Sequence, residues 1–245
     1  MSSCQCQGCD SQFGTQHAEK DLKRYRRRGP DVTTRLLLDA LKTQGLQGAT
    51  LLDIGAGIGV VNHELLSAGA RSAIHVDATN ANVHVAEQEA TRQGHREQVT
   101  FLCGDFVDLA PEIAAADIVT LDRVICCYSN MEQLVDASAA KARRLYGAVY
   151  PRERWIFKVW IVFENLARRI RGNPFQTYIH PIRAIDRTLE RNGLRRRWVR
   201  DTFAWRVAVY SAPLAAWAEP SLSKHQRGEG SNQRNSSAAI GTFML

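Results

Sequence analysis

The segment LLDIGAGIGVV at residues 51–61 restricts the fold more than any other part of the chain. An apolar run that ends at Ile54 leads directly into a turn of small residues and then into a second apolar run. Glycine allows a tight turn and a close approach of a ligand to the backbone. The helix N-terminus that follows offers free N–H groups and a positive dipole. The segment therefore predicts a strand, a binding turn and a helix. The turn residues are Gly55, Ala56, Gly57 and Gly59.

Short apolar runs alternate with amphipathic stretches through the middle of the chain. Two amphipathic stretches, 60–69 and 81–94, each close on a glycine, which suits a helix end. The alternation predicts an α/β fold: a doubly wound, mostly parallel seven-stranded sheet with helices on both faces, in a single domain. The predicted strands are 49–54, 72–77, 99–104, 117–122 and 144–150, with two closing strands within 198–212.

Composition divides the chain into three zones. Residues 1–20 are polar and cysteine-rich and are predicted to be flexible, whereas residues 21–212 carry the periodic patterns of a folded domain. Residues 213–245 are rich in Ser, Asn, Gln and Gly, and we expect a disordered tail there. No run approaches the roughly 18–20 apolar residues of a membrane span, and the N-terminus lacks the apolar core of a secretory signal. We therefore expect a cytoplasmic protein without a membrane span.

The glycine spacing separates this turn from two common nucleotide-binding motifs. A dinucleotide-binding turn has its third glycine at the sixth position of the motif, where this chain has Val60. A P-loop requires Gly-Lys-Ser/Thr, which is absent here. The pattern that begins at Asp53, D-x-G-x-G-x-G, instead resembles motif I of the class I S-adenosylmethionine (SAM) methyltransferases.

Acidic residues at the ends of the next strands agree with this resemblance. Asp77 ends the second predicted strand, where a carboxylate can accept both hydroxyls of a ribose or can cap a helix. The resemblance further implies that Asp105 contacts the adenine amino group, that Phe106 lies against the ring, and that Asp122 lies near the methionine end. The implied cofactor is SAM, and the implied product is S-adenosylhomocysteine. The cofactor-binding set predicted in this way is Tyr25, Arg28, Asp53, Gly55, Ala56, Gly57, Gly59, Asp77, Ala78, Asp105, Phe106 and Asp122.

The resemblance covers roughly residues 20–212 and is firmest over 49–128. Within the class, the layout is most similar to the magnesium-protoporphyrin O-methyltransferases, which share a strand ending in proline (AVYP, 148–151), a long helix and a Tyr-x-His before another helix (178–180 here). Those enzymes tend to have His-Tyr after the fourth strand, where this chain has Cys126-Cys127-Tyr128. We therefore do not transfer their substrate to this chain.

Residues on the acceptor side are predicted from their position at the carboxyl ends of the strands. Tyr25 and His180 are the catalytic candidates, Tyr25 because a tyrosine before motif I often covers the methionine of SAM in related enzymes, and His180 because imidazole titrates near neutral pH. Arg28 is a candidate partner of the methionine carboxylate, although Arg24, Arg26 and Arg27 compete with it. The substrate-side candidates are Cys126, Cys127, Tyr128 and Tyr150.

The N-terminal cysteines form a C-x-C-x2-C pattern. Thiolates at Cys4, Cys6 and Cys9 could bind a soft ion, with the 126–127 pair as a spatial partner. We expect reduced thiols in a cytoplasm. Because no second C-x2-C is present, a cysteine-rich tail without metal is the simpler interpretation, and we assign no metal ligand.

Residues 152–172 are predicted to form a long helix with an apolar stripe. Core packing is the first interpretation of this stripe. The alternatives are a lid for a flat hydrophobic acceptor or a peripheral contact with a membrane, for which flanking arginines would suit anionic groups. The stripe consists of Trp155, Val159, Val162, Phe163, Leu166 and Ile170.

The leading functional prediction is methyl transfer from SAM to a small-molecule acceptor at oxygen, by in-line displacement. A soft metalloid or thiol acceptor is the first alternative. Nucleic-acid methylation is the second, since the formal net charge is +7 and the clusters at 24–28 and 194–200 are arginine-rich. The chain shows neither an RNA-binding module nor an amino-methylation motif, which argues against nucleic acid. A non-enzymatic SAM-fold scaffold is the third, and the acids at four strand ends argue against it.

Overall fold

The computed structural model describes residues 8–213. Its strands all belong to one sheet and, in chain order, are β1 Thr50–Ile54, β2 Ser72–Asp77, β3 Val99–Cys103, β4 Ala116–Asp122, β5 Ala142–Pro151, β6 Arg195–Asp201 and β7 Trp205–Ser211. The α-helices are α1 Cys9–Gln12, α2 Thr15–Arg28, α3 Val32–Lys42, α4 Val60–Ser67, α5 Asn80–Gln93, α6 Phe106–Leu109, α7 Met131–Ala139, α8 Trp155–Ile170 and α9 Ile182–Arg191.

The sheet has the order β3-β2-β1-β4-β5-β7-β6. Strands β1 to β5 pair in parallel, whereas β7 pairs antiparallel with both β5 and β6. This arrangement confirms the predicted doubly wound, mostly parallel seven-stranded sheet. The strand order reverses at β1 and β4, and ligands of open α/β sheets bind beyond the carboxyl ends of the strands at such a switch point.

The central strands are buried on both faces, which explains their continuous apolar sequences. Leu37 and Leu41 of α3 pack on one face of the sheet, and α7 and α9 cover the other with Leu134 and Leu189. Helix α3 approaches β5 closely at Gly147, where a Cβ atom would lie 2.7 Å from Leu37 Cδ1. A side chain at position 147 would therefore force Leu37 to shift.

The N-terminal helices lie partly within the segment predicted to be flexible. Helix α1 and the first turns of α2 precede residue 21. Ala18 of α2 is fully buried and packs with Ile58 and Val85, so α2 is anchored on the turn after β1 and on α5. Most of the predicted C-terminal tail, 214–245, lies outside the described residues.

Helix α8 confirms the predicted helix but not its predicted burial. No residue of α8 is buried, and Trp155 and Ile170 at its ends are 76% and 78% exposed. Core packing was therefore the wrong interpretation of the apolar stripe, because helical periodicity shows which side chains share a face and not what that face contacts. Among residues 8–213, no helix is both long and apolar enough to cross a bilayer.

Candidate functional site

A cavity of about 980 Å³ lies at the carboxyl ends of the parallel strands, at the switch point of the sheet. It is at the upper end of the roughly 300–1,000 Å³ range of small-molecule sites. The turn after β1 and the ends of β2 and β4 form its floor, and parts of α2 and α8 form its walls.

The glycine-rich turn is built on left-handed backbone. Gly55, Gly57 and Gly59 have φ angles of +61°, +57° and +80°, a region that L side chains rarely adopt. A Cβ at position 55 would lie 2.4 Å from Val124 Cγ2, whereas a Cβ at position 57 would meet no protein atom within 4 Å. Gly57 lines the cavity, so it leaves space in which a ligand can approach the backbone.

Asp77 joins this turn to the start of α5. Its Oδ1 accepts hydrogen bonds from the Thr79 amide and hydroxyl and from Asn82 Nδ2, and its Oδ2 accepts one from the Gly57 amide at 2.8 Å. Burial raises the pKa of this carboxyl group. A carboxylate oxygen can accept two hydrogen bonds, so Oδ2 has capacity for a hydroxyl donor in the cavity that Asp77 lines.

Asp105 and Tyr128 connect the loops that follow β3 and β4. Asp105 caps α6 by accepting from the Val107 amide at 2.9 Å, and the Tyr128 hydroxyl donates to Asp105 Oδ1 at 2.6 Å. Phe106 is buried beside them and lines the cavity. Asp105 and Phe106, which the resemblance assigns to the adenine, thus lie in one corner of the cavity together with Tyr128, a predicted substrate-side residue.

An ion-pair network at the end of β4 was not predicted. Arg123 has a φ of +63°, the one non-glycine in the left-handed region among residues 8–213, and its guanidinium bridges Asp31 and Asp122. Thr34 donates its hydroxyl to Asp122 Oδ2, so α3 is tied to the strand end. Strained backbone of this kind costs about 1–3 kcal/mol and is concentrated at functional sites. Nothing in the sequence around Asp122 signals this backbone conformation.

Charge and burial compete at the two acids of this network. Burial acts to raise the pKa of Asp31, but the Arg123 charge and the hydrogen bonds from Thr34 and Thr33 outweigh it and lower this pKa. Burial dominates at Asp122 and raises its pKa. Arg123 therefore pairs with two partly buried carboxyl groups at the edge of the cavity.

Asp53 is fully buried behind the turn. Its Oδ1 accepts from the Thr120 hydroxyl at 2.6 Å, and its Oδ2 has no partner among residues 8–213. Burial raises the pKa of this carboxyl to about 8. An unpartnered buried oxygen of this kind is suited to a donor that a ligand supplies.

Most of the predicted site residues line the cavity together. They are Tyr25, Asp53, Gly55, Ala56, Gly57, Asp77, Ala78, Asp105, Phe106, Asp122, Cys126, Cys127 and Tyr128. The predicted residues that the structure places outside the lining are Arg28, Gly59, Tyr150 and His180.

The residues outside the lining have other contacts. His180 Nε2 lies 2.8 Å from the Tyr128 carbonyl oxygen, so this side chain positions the loop after β4. Tyr150 is buried and shares a hydrogen bond with the Tyr210 hydroxyl. Arg28 is exposed on α2, and Arg24 lines the cavity in its place. Side chains alternate between the two faces along a strand, which explains why position along the chain could not separate Tyr150 of β5 from the residues that line the cavity.

Tyr25 contributes its ring to the cavity, but its hydroxyl donates to Glu64 Oε1 at 3.2 Å. Burial is the main cause that raises the pKa of Tyr25 to about 12. The hydroxyl therefore keeps its proton at neutral pH.

Two further residues of α2, His17 and Asp21, also line the cavity. His17 Nε2 lies 3.3 Å from Asp21 Oδ2. Sequence reasoning did not assign this pair, because only the docking of α2 over the turn brings it to the site.

Cys126 and Cys127 lie side by side at the cavity wall. Their sulfur atoms are 3.9 Å apart, and the Cys126 thiol lies 3.3 Å from the Arg123 carbonyl oxygen. The hydrogen bond between the thiols raises the pKa of Cys126 and lowers that of Cys127.

Cys9 also lines the cavity and is disulfide-bonded, which contradicts the expectation of reduced thiols throughout. Cys4 and Cys6 lie outside the described residues, and residues 8–213 contain no metal-ligating cluster.

The sequence and the fold match known methyltransferases. A model described as a methyltransferase domain matches residues 51–146. The ribosomal protein L11 methyltransferase of Aliivibrio salmonicida is 29% identical over 110 residues, which are 44% of this chain and 36% of that protein. The chain thus spans about a third of the length of this curated relative.

Solved structures share the fold at low sequence identity. The magnesium protoporphyrin IX methyltransferase of Synechocystis PCC 6803 with bound S-adenosylhomocysteine has a TM-score of 0.62 and 19% identity, over 83% of this chain and all of that one. An O-methyltransferase family protein from Burkholderia thailandensis has a TM-score of 0.64 and 14% identity, over 83% and 62% of the two chains. Residues 51–146 therefore match a methyltransferase domain, and the chain shares the fold of these methyltransferase structures.

The residues at the switch point fit SAM. Three groups in the cavity lining are available to a ligand. They are the Gly57 backbone, beside which a Cβ would meet no protein atom, Asp77 Oδ2, which can accept a second hydrogen bond, and Asp53 Oδ2, which has no partner among residues 8–213. They suit, respectively, a close backbone contact, a ribose hydroxyl and a cationic amino group.

The substitution Gly57→Ala is expected to weaken cofactor binding by more than its effect on stability explains. We expect Gly57→Ala to weaken S-adenosylhomocysteine binding at least roughly tenfold, because its Cβ would occupy the cofactor space. A left-handed alanine also costs about 1–2 kcal/mol of stability. Gly94→Ala is the matched control, since Gly94 has a φ of +78° and no atom within 4 Å but lies at the end of α5. Equal affinities of the two variants in calorimetry would contradict the assigned cofactor position.

Proposed function

We propose that this chain is a SAM-dependent methyltransferase that methylates a small hydrophobic molecule at oxygen. The observation that carries the proposal is a single cavity in which the predicted cofactor-binding residues continue into an aromatic wall. Within one cavity, a bound acceptor and the methyl donor can be aligned for in-line displacement, which lowers the barrier by positioning alone.

The acceptor half is supported by its mixture of aromatic and cationic groups. Its wall contains Phe13, Phe157, Trp160 and Phe175, which suit a flat hydrophobic molecule. The Arg168 guanidinium lies 5.3 Å from the centre of the Phe175 ring and pairs with Glu164. A guanidinium in such a wall can bind a carboxylate of the acceptor. The two structural relatives named above, one a magnesium protoporphyrin IX methyltransferase and one an O-methyltransferase family protein, are consistent with acceptors of this kind.

The proposed mechanism assigns distinct tasks to the protein groups. SAM, when bound, supplies an electrophilic methyl group. Asp77 and the turn at Gly57 would hold the donor, and the Arg123 network fixes the end of β4 at the cavity. Trp160 and Phe157 hold the acceptor. His17, oriented by Asp21, is the group at the cavity that can remove a proton from an acceptor hydroxyl. His180 positions Tyr128 through the carbonyl contact.

A soft metalloid or thiol acceptor is the second candidate. It is favoured by the adjacent thiols of Cys126 and Cys127 at the cavity wall. Methylation of a protein or an RNA is the third candidate, since the curated relative acts on a ribosomal protein.

The acceptor class can be tested with labelled methyl transfer from SAM to separate pools of aromatic carboxylic or phenolic compounds, trivalent arsenic, ribosomal protein and RNA. We expect transfer to the aromatic pool, with Trp160→Ala reducing kcat/KM at least about tenfold while leaving S-adenosylhomocysteine affinity unchanged. Cys127→Ser is expected to retain activity. Transfer to arsenic that is abolished by Cys127→Ser would establish the second candidate instead, and transfer confined to protein or RNA would establish the third.

A further inference from the structure

Helix α8 has two faces with different surroundings. Its inner face lines the cavity with Phe157, Trp160 and Arg168, among others. Its outer face is the apolar stripe predicted from the sequence. These six side chains are between 47% and 78% exposed, and they are Trp155, Val159, Val162, Phe163, Leu166 and Ile170.

The outer face is as wide as a stripe that normally packs against a core. At 100° per residue, its six positions cover about 100° of the helix circumference. Phe203, in the turn between β6 and β7, is a further exposed aromatic side chain near the N-terminal end of α8. It is 68% exposed and makes an edge contact with Phe157, with the ring centroids 5.4 Å apart. Exposed apolar surface of this extent marks an interaction site.

Cations border the outer face of α8. Residues 152–171 contain six basic and two acidic residues. Lys158 and Arg169 flank the stripe along the helix, and Arg154 and Arg171 lie next to its ends. Arg169, Arg154 and Arg171 have no ion-pair partner within residues 8–213, whereas Lys158 pairs with Glu153. The Arg154 guanidinium lies 4.9 Å from the centre of the Phe203 ring.

We propose that the outer face of α8 binds the surface of an anionic lipid membrane, with the helix lying in the plane of the interface. Tryptophan and phenylalanine on one face and Lys or Arg at its borders are typical of interfacial helices. Lys and Arg side chains next to an anionic membrane surface are attracted to it. A second copy of this chain is the less favourable occupant of the outer face. Pairing two such faces would bring the basic residues at their borders, including Arg169, close to those of the other copy.

Vesicle flotation of the full chain tests this inference. The probe is extruded phosphatidylcholine vesicles, pure or with about one third phosphatidylserine. We expect at least roughly tenfold tighter binding to the anionic vesicles, weakened by about 0.5 M salt, with a blue shift of tryptophan fluorescence. Val162→Glu is expected to abolish binding. Val32→Glu is the matched control, since Val162 and Val32 are 66% and 67% exposed, and it is expected to bind like wild type.

Two outcomes would overturn the inference. The first is that wild type does not bind anionic vesicles, or that Val162→Glu and Val32→Glu bind them equally. The second is that sedimentation velocity shows a dimer that Val162→Glu dissociates while lipid binding is absent, which would identify a second copy as the occupant. The vesicle assay requires neither SAM nor an acceptor, so its result is independent of the proposed function.

Discussion

Replacing Asp77 with alanine is expected to weaken S-adenosylhomocysteine binding roughly 10- to 150-fold. Hydrogen bonds to charged groups contribute about 1.5–3 kcal/mol, and the variant removes the carboxylate that we assign to the ribose hydroxyls. The same change removes the bonds from Gly57, Thr79 and Asn82 that hold the turn against α5. The loss of affinity will therefore be accompanied by a loss of stability.

A second aspartate allows these two effects to be separated. Asp117 lies near the opposite end of the sheet, where its Oδ2 accepts from the Thr50 amide at 2.8 Å and from the Thr50 hydroxyl at 2.9 Å. Asp117→Ala should lower the unfolding temperature without changing affinity in calorimetry. Asp77→Asn keeps the shape of the side chain and should bind more weakly than wild type. The assigned ribose site would be wrong if Asp77→Ala and Asp117→Ala bound S-adenosylhomocysteine equally well.

Acidification below pH 6.5 is expected to destabilise the fold through two buried histidines. His63 and His75 lie on neighbouring elements α4 and β2, and burial is the main cause that lowers their pKa values to about 4 and about 3. His75 Nδ1 contacts Asn62 Nδ2 at 3.0 Å, and the His63 ring stacks on that of His95. The Glu89 carboxylate favours the charged form of His63, but burial and the neighbouring His95 outweigh it and lower the pKa.

The sign follows from proton linkage. Between pH 6.5 and about 4, the unfolded chain binds protons at both histidines that the folded chain does not bind. The free energy of unfolding therefore falls by up to about 1.4 kcal/mol per histidine for each pH unit of acidification. Asp53 acts in the opposite direction, because its folded pKa of about 8 favours the protonated, folded form as the pH falls from 8 towards 3.8. These three groups together therefore lower the free energy of unfolding by at most about 1.4 kcal/mol per pH unit of acidification.

Urea unfolding at pH 7, 6 and 5 measures this slope. We expect His75→Gln to reduce the pH slope by about half of the two-histidine contribution, although it also lowers stability at pH 7 by disturbing a packed site. His84→Gln, an exposed change on α5, should leave the slope as in wild type. A slope that is the same in wild type and His75→Gln would show that His75 is charged in the folded state.

Much of the cofactor side of the site could be predicted because its signals are local. The order strand, glycine turn, helix is set by residues 51–61, and the acids at 77, 105 and 122 follow strands that are recognisable from their apolar runs. The parallel pairing then brings these strand ends together. Helix α7 was not predicted, because its short sequence MEQLVDASA carries only three large apolar residues.

The acceptor side was harder to predict because its residues come from distant parts of the chain. Tyr150 and His180 have the chemistry of site residues, yet one pairs with Tyr210 in the core and the other with a loop carbonyl. His17 reaches the cavity because Ala18 docks on Ile58 and Val85. No local pattern contains these contacts.

The sequence by itself determined the sheet, its glycine-rich turn and the class of cofactor, since periodicity and turn chemistry act over a few residues. The tertiary structure decided what each face meets. It turned the apolar stripe of α8 outward and placed Arg123 between Asp31 and Asp122, which lie 91 positions apart. The exposure of the α8 stripe and the ion pairs of Arg123 depend on the packing of elements that are remote in sequence. The burial of a side chain and the charges around it are therefore set only when the chain has folded.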